Sequence, residues 1–227
     1  MLLRKPYRKV FCKLADTGLT SASPLWFVRG STGVVHVGAH AGQEAWIYAA
    51  FNKPVIWFEP NPVVMKLLQE NIQKYPKQQA VQALITDQSN VETAFHISNY
   101  QGGSSSIFEL GGHTDMYPGI EYEQTITINS TTLDDALCRI PGASRHNALV
   151  MDVQGAEVVV LRGAKKLLKQ FKWVFAECAD FEIYRKGCTY QELKEFLAVA
   201  GFVEERKYTK ESRDDLGTTY DVLFRRR

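Results

Sequence analysis

The 227-residue chain lacks the features that announce several protein classes. Its four cysteines, Cys12, Cys138, Cys178 and Cys188, form no CxxC pair. That spacing signals neither a zinc site nor a dithiol redox motif, and it reads as free thiols in a reducing compartment. No apolar run approaches the roughly 20 residues that a membrane helix needs. Near the start, Val10 and Phe11 are interrupted by Lys13 and Asp16 before a signal-peptide core can form, so the expectation is a soluble, cytoplasmic protein. An excess of one charge is also missing: 27 Lys and Arg stand against 25 Asp and Glu, a formal net charge of +2. So small a balance excludes an electrostatic argument for nucleic acid, and the basic residues at both ends (Arg4 to Lys13, Arg225 to Arg227) read as solvated termini. There is no internal repeat and no low-complexity segment. What remains is 45% hydrophobic and 23% charged residues, the composition of one globular domain with a sizeable core.

Short apolar runs alternate with helical patterns, which predicts a parallel sheet with crossover helices. Strands are expected at 34–37, 55–58, 80–85, 148–151 and 173–176, with the last two at 202–204 and 222–224, joined by a polar, solvated connection. Helices are expected at 43–51, from the Asn61-Pro62 cap through Ile72, at 133–137, at 156–170 and at 191–200, the last closed by Gly201. Residues 93–97 and 125–128 alternate as half-exposed strands. Between them the glycine and serine of Gly102 to Gly112 predict a mobile loop, extending to Gly119, that orders over a substrate.

Four signals fall at the carboxyl ends of parallel strands, the edge where open α/β sheets bind ligands. Gly38-Ala39-His40-Ala41-Gly42 allows a sharp turn and a close main-chain approach to a ligand at a helix amino terminus. Glu59 ends the next strand, where a carboxylate can accept hydrogen bonds from both hydroxyls of a ribose. Asp152-Val153-Gln154-Gly155-Ala156-Glu157 comes directly after the strand at 148–151, and Glu177 after the one at 173–176. Adjacent strands bring Asp152 and Glu177 together, to orient a cation, act as a base or hold a divalent metal. No metal site is predicted. Glu157 serves equally well as a helix-dipole partner in the first turn.

In these residues the chain resembles the FkbM family of methyltransferases, within the class I S-adenosylmethionine-dependent fold. The matching stretches are Val35 to Gly42, Phe58-Glu59-Pro60, Gly103 to Ser106, Thr131 to Asp134, Met151 to Glu157 and Leu161 to Ala164. The resemblance implies a Rossmann-like, doubly wound sheet of about seven strands, mostly parallel with the last antiparallel and helices on both faces. It would span residues 31–227 behind an N-terminal extension of residues 1–30. It implies S-adenosylmethionine as cofactor: Gly38, Ala39, His40 and Gly42 around the methionyl part, Glu59 and Pro60 at the ribose, Leu84, Ile85 and Asp87 at the adenine, and Asp152 beside the sulfonium and the acceptor. Two positions depart from the family pattern, His36 for a common aspartate and Gln154 for a common glutamate. The second departure removes a candidate base.

An alcohol needs a base or a metal to assist loss of its proton, and the carboxylate-rich edge of Asp152, Glu157, Glu177 and Asp180 suits one. The expected reaction is O-methylation of a hydroxyl on a sugar or other small molecule. Asp152 and Glu177 are the catalytic candidates at the edge, and His113 is the candidate base on the glycine-serine loop. Tyr100, Tyr117, Tyr122 and Trp46 could wall a sugar ring, and each serves equally well as packing. The position after the strand at 148–151 lacks the Asn/Asp-Pro-Pro-aromatic motif of methyltransferases that act on exocyclic base nitrogens, and the first turn lacks the glycine spacing of a nicotinamide fingerprint. A cofactor-binding module without catalysis and an RNA-directed methyltransferase remain as alternatives.

Overall fold

The structure, a computed structural model, describes residues 24–227. Residues 1–23, with Cys12 and most of the expected extension, lie outside them. Leu25, Phe27 and Val28 of the remainder, around a 3-10 turn at Trp26–Gly30, are buried in the core and so pack as part of the domain.

Fully buried apolar runs form the centre of the sheet, as parallel strands covered on both faces require. These are β1 (Val34–Val37), β2 (Val55–Glu59) and β8 (Ala148–Met151). The other strands are β3 (Gln78–Gln82), β4 (Ile85–Thr86), β5 (Glu92–Ser98), β6 (Tyr122–Asn129), β7 (Thr131–Thr132), β9 (Trp173–Ala179), β10 (Phe202–Arg213) and β11 (Gly217–Arg226). The helices are α1 (Ala45–Ala50), α2 (Pro62–Ile72), α3 (His113–Met116), α4 (Leu133–Cys138), α5 (Glu157–Arg162) and α6 (Tyr190–Val199). The main sheet has seven strands in the order β10-β11-β9-β8-β1-β2-β3, with β11 alone running against the rest. Strand order reverses beside β1, which pairs with β2 on one side and β8 on the other, and this opens a crevice at their carboxyl ends.

Period-two alternation divides the strands between two cores. Val35, Val37, Phe58, Met151 and Val174 pack with α4, α5 and α6, whereas Val34, Trp57, Val150 and Phe175 pack with α1 and α2. His36 belongs to the second core. It is stacked on Trp57 at 4.7 Å with its Nδ1 3.1 Å from the Tyr48 hydroxyl, and burial lowers its pKa to about 3. It therefore serves as a neutral core residue.

Local caps account for several boundaries. The Asn61 side chain accepts from the N–H groups of Val63 and Val64 ahead of Pro62, and Thr189 forms a reciprocal capping box with Glu192. Elsewhere tertiary contacts override the pattern. The helix expected at 156–170 stops at Arg162, because the Asp134 carboxylate accepts from the N–H groups of Lys166 and Leu167 at 2.8 and 2.9 Å and starts a new turn. The strand expected at 80–85 divides into β3 and β4, and β4 pairs with β7 outside the main sheet. Strands β5 and β6 form a separate two-stranded sheet, which a bridge from His96 ties to Ser106. The polar connection expected after residue 204 is instead a long hairpin of β10 and β11, with the charges of β10 on the sheet edge. Among the described residues, no helix is long and apolar enough to cross a membrane.

Candidate active site

At the crevice β1 ends in a turn that only glycine can make. Gly38 has φ +79°, and a Cβ there would stand 1.9 Å from the Asp152 carbonyl oxygen. The N–H groups of Gly38 and Ala39 both donate to the Phe58 carbonyl, and the Asp152 N–H donates to the Val37 carbonyl, so three strand ends are tied together here. Glu59 ends β2 and is buried, 6% exposed. Its two oxygens accept 2.8 Å hydrogen bonds from the N–H groups of His40 and Asn61, which fix the carboxylate in one orientation. Burial outweighs those bonds and raises its pKa to about 7.

Around these groups lies a cleft with about 600 Å³ of empty space, part of it open to solvent. Gly38, His40, Glu59, Pro60, Leu84, Ile85 and Asp152, all expected at a cofactor, line it. Ala39, Gly42 and Asp87 do not. Ala39 is buried in the core, Gly42 turns against Leu68, and Asp87 sits behind β4 against Gly163. Sequence reasoning missed Phe95, from β5, and Ile107 among the lining residues. Both are apolar, and no motif marks them.

The glycine-serine segment forms a wall of this cleft through Gly102, Gly103 and Ser105. In the structure its serines are packed and hydrogen-bonded. Ser104, Ser105 and Ser106 are buried. Ser106 exchanges main-chain hydrogen bonds with His96, and its hydroxyl donates to the Gln154 carbonyl at 2.7 Å. His40 anchors the segment from the other side: its Nε2–H donates to the Gln101 carbonyl while Nδ1 accepts from Gln43. The small residues allow close packing here.

Behind the cleft is a second, smaller hollow that shares Asp152 and Gln154 with it and adds Glu157, Glu177, Tyr184, Cys188 and Thr219. Asp152 and Glu177 are thus brought together as expected. Asp152 holds its proton well above the usual carboxylate range, first through burial and then through the negative charge of Glu177. Glu177 forms an ion pair with Lys210 of β10, a residue expected in a solvated connection. Lys210 also stands 4.0 Å from Asp221. Glu157 is buried, accepts from Val153 N–H and Cys188 Sγ, and has its pKa raised to about 7 by burial. Asp180 turns away to accept from Thr218 and Tyr220 within the hairpin region.

His113 lines neither space. It is 2% exposed, packed against Tyr117 and Tyr184 with ring centroids 5.0 and 5.1 Å apart, and burial lowers its pKa to about 4. It sits behind Tyr184, so the proton acceptor on a lid that the sequence suggests is replaced by a neutral packing group. The aromatic wall is absent as well: Tyr100 is exposed and Tyr122 stacks on His96. Neither these two nor Tyr117 nor Trp46 borders the cleft or the hollow. Among the described residues no group of three or more His, Cys, Asp or Glu is arranged to hold a metal ion.

A seven-stranded sheet with one reversed strand, a glycine turn after β1 and an acid at the end of β2 define the class I S-adenosylmethionine-dependent methyltransferase fold. Residues 36–209 match the methyltransferase FkbM domain, and the chain belongs to that family. A curated relative, the 2-O-methyltransferase NoeI of Sinorhizobium fredii (strain NBRC 101917 / NGR234), is 27% identical over 159 residues. That match takes in 66% of this chain and 65% of the relative, so the chain spans somewhat less than two thirds of NoeI. Two solved structures share the fold. Magnesium protoporphyrin IX methyltransferase (ChlM) from Synechocystis PCC 6803 with bound S-adenosylhomocysteine has a TM-score of 0.51 at 10% identity, covering 95% of this chain and 85% of that one. The methyltransferase domain of bacterial CtHen1 has a TM-score of 0.50 at 13% identity, covering 94% and 99%.

Proposed function

We propose that the protein is an S-adenosylmethionine-dependent O-methyltransferase acting on a hydroxyl of a small, carbohydrate-like acceptor. The observation that carries this reading is the buried, oriented Glu59 carboxylate opening on the same cleft that Asp152 borders. The residues fit the cofactor. Glu59 presents acceptors for the ribose hydroxyls, the bare backbone at Gly38 leaves room for the methionyl part, and Leu84, Ile85 and Phe95 supply apolar walls for the adenine. When bound, S-adenosylmethionine supplies a methyl group on a sulfonium sulfur, which is left as a neutral thioether. Asp152 would orient the acceptor hydroxyl and take its proton. Only the ionised carboxylate accepts that proton, and Lys210 and the Gln154 amide favour the ionised form. Glu177, paired to Lys210, polarises the hollow that receives the acceptor. The O-methyltransferase NoeI supports the choice of oxygen.

Calorimetry with S-adenosylhomocysteine and with NAD tests the cofactor: binding of the first and none of the second is expected, and the reverse would retract the reading. Glu59→Gln should weaken S-adenosylhomocysteine binding by at least about tenfold, since a hydrogen bond to a charged group is worth roughly 1.5–3 kcal/mol. The parent should also lose affinity as the pH falls below about 7. The ionised carboxylate is the form that accepts both hydroxyls, and protonation removes it by up to about tenfold per pH unit. The glutamine variant should be flat over that range. A parent curve as flat as the variant's would show that Glu59 does not meet the ligand.

A further inference from the structure

We infer that Gln154 is a positioning residue for Asp152, the middle member of a hydrogen-bonded chain Tyr184–Gln154–Asp152 that presents the aspartate carboxylate for proton acceptance. The inference rests on the reading of Asp152 as the base. The Tyr184 hydroxyl donates to Gln154 Oε1, and Gln154 Nε2 donates to Asp152 Oδ1. An amide can serve both neighbours at once because it carries an acceptor and a donor on one carbon. A glutamate at this position would still receive the phenol, but its second oxygen carries no N–H to donate to Asp152 Oδ1. Gln154 is therefore more than a vacated base position. Its amide N–H makes the second contact possible.

The chain is rigidly mounted. Gln154 adopts φ +55°, a conformation that an unbranched side chain holds only when its surroundings require it. Its carbonyl is taken by the Ser106 hydroxyl at 2.7 Å, and the neighbouring Gly155 has φ +93°. A Cβ on Gly155 would press on Tyr184 Cβ at 3.1 Å and on Gly187 Cα at 3.3 Å, so the Tyr184 segment lies directly against the turn. The Tyr184 ring is 1% exposed and is backed by His113. This gives the neutral histidine a structural purpose: it holds the phenol on Gln154.

The charged groups around Asp152 come from four elements. Burial, Glu177 of β9 and Glu157 of α5 favour the protonated acid, and Lys210 of β10, itself shared with Asp221 of β11, opposes them. The Gln154 amide sides with Lys210, because a donated N–H stabilises the carboxylate form. It also occupies Oδ1, which leaves Oδ2 as the oxygen free to take a proton.

The test uses the full chain with ¹³C-carboxyl-labelled aspartate, the Asp152 resonance being assigned by its loss in Asp152→Asn. Titration by NMR should give an Asp152 pKa about one unit higher in Gln154→Met, a tenfold gain in proton affinity, and higher still in Gln154→Glu. Tyr184→Phe should move it the same way, because the amide is then free to rotate. Shifts below about half a unit in both Gln154→Met and Tyr184→Phe would overturn the inference. A second arm measures methyl transfer from tritiated S-adenosylmethionine to methyl glycosides of neutral hexoses as acceptor probes. Gln154→Met should lower kcat at least about tenfold, leave the KM for S-adenosylmethionine and the Kd for S-adenosylhomocysteine unchanged, and move the rising limb of the pH profile upward. Parent-like titration in Gln154→Met with an inactive Asp152→Asn would retract the positioning role alone. Full activity in Asp152→Asn would retract the base itself.

Discussion

Asp152→Asn will lower methyl transfer by roughly a hundredfold or more, the usual loss when a general base is removed. Asparagine keeps the shape of the side chain, and its Oδ1 can still accept from Gln154, so the variant changes charge and basicity while leaving the neighbours in place. Stability should move the other way. Asp152 keeps its proton to a higher pH in the folded chain than in the unfolded one, because it is buried beside Glu177. The folded state then binds more protons across that interval and loses stability as the pH rises through it. Asparagine escapes that loss, so at pH 8 its thermal midpoint by scanning calorimetry should equal or exceed the parent's. A lower midpoint together with lost turnover would make Asp152 a structural residue. A chelator separates the remaining roles: turnover that survives it in the parent assigns the carboxylate to proton transfer, and turnover that collapses assigns it to a metal.

The second large effect belongs to Gly38→Ala. Two costs combine there. A left-handed backbone costs a non-glycine residue about 1–2 kcal/mol, and forcing a methyl into a packed site costs about 1–3 kcal/mol more. The new Cβ would stand 1.9 Å from the Asp152 carbonyl oxygen, so β1 and β8 would have to part at their carboxyl ends. A loss of roughly 2–5 kcal/mol in urea unfolding is expected, a large share of the 5–15 kcal/mol that stabilises a typical domain. Cofactor affinity should fall with it, because Gly38 and Asp152 line one cleft. Gly119→Ala is the control. Its φ is +91°, but nothing lies within 4 Å of the added Cβ, so only the backbone cost applies. Equal losses in the two variants would show that the close approach of β1 to β8 is unimportant.

Half of the site is written locally. Val34 to Val37, Val55 to Phe58 and Ala148 to Met151 are short, largely apolar and β-branched runs bounded by turn residues, the pattern of strands covered on both faces. The residues at the carboxyl end of each such strand then fall on one edge of the sheet, and Gly38, Glu59 and Asp152 are legible for that reason. The hollow behind them is legible only in part. Glu177 is found from its strand, but its partner Lys210 comes from a hairpin of polar residues whose register is set by pairing with β11, and no periodicity announces such a strand.

The division is therefore physical. Apolar period, cap chemistry at Asn61 and Thr189, and glycine at the β1 turn are properties of a few consecutive residues, and by themselves they determine the α/β class, the reversal point and the acids at its edge. Tertiary contact decides the rest. It packs Ser104 to Ser106 as a wall, turns His113 into a neutral support for Tyr184, sets Asp87 behind β4 and joins Gln154 to both Tyr184 and Asp152. Residues 106 and 154, or 154 and 184, meet only because the sheet edge gathers distant loops. A side chain's burial and hydrogen-bond partners, which set its charge and its chemistry, exist only after that gathering.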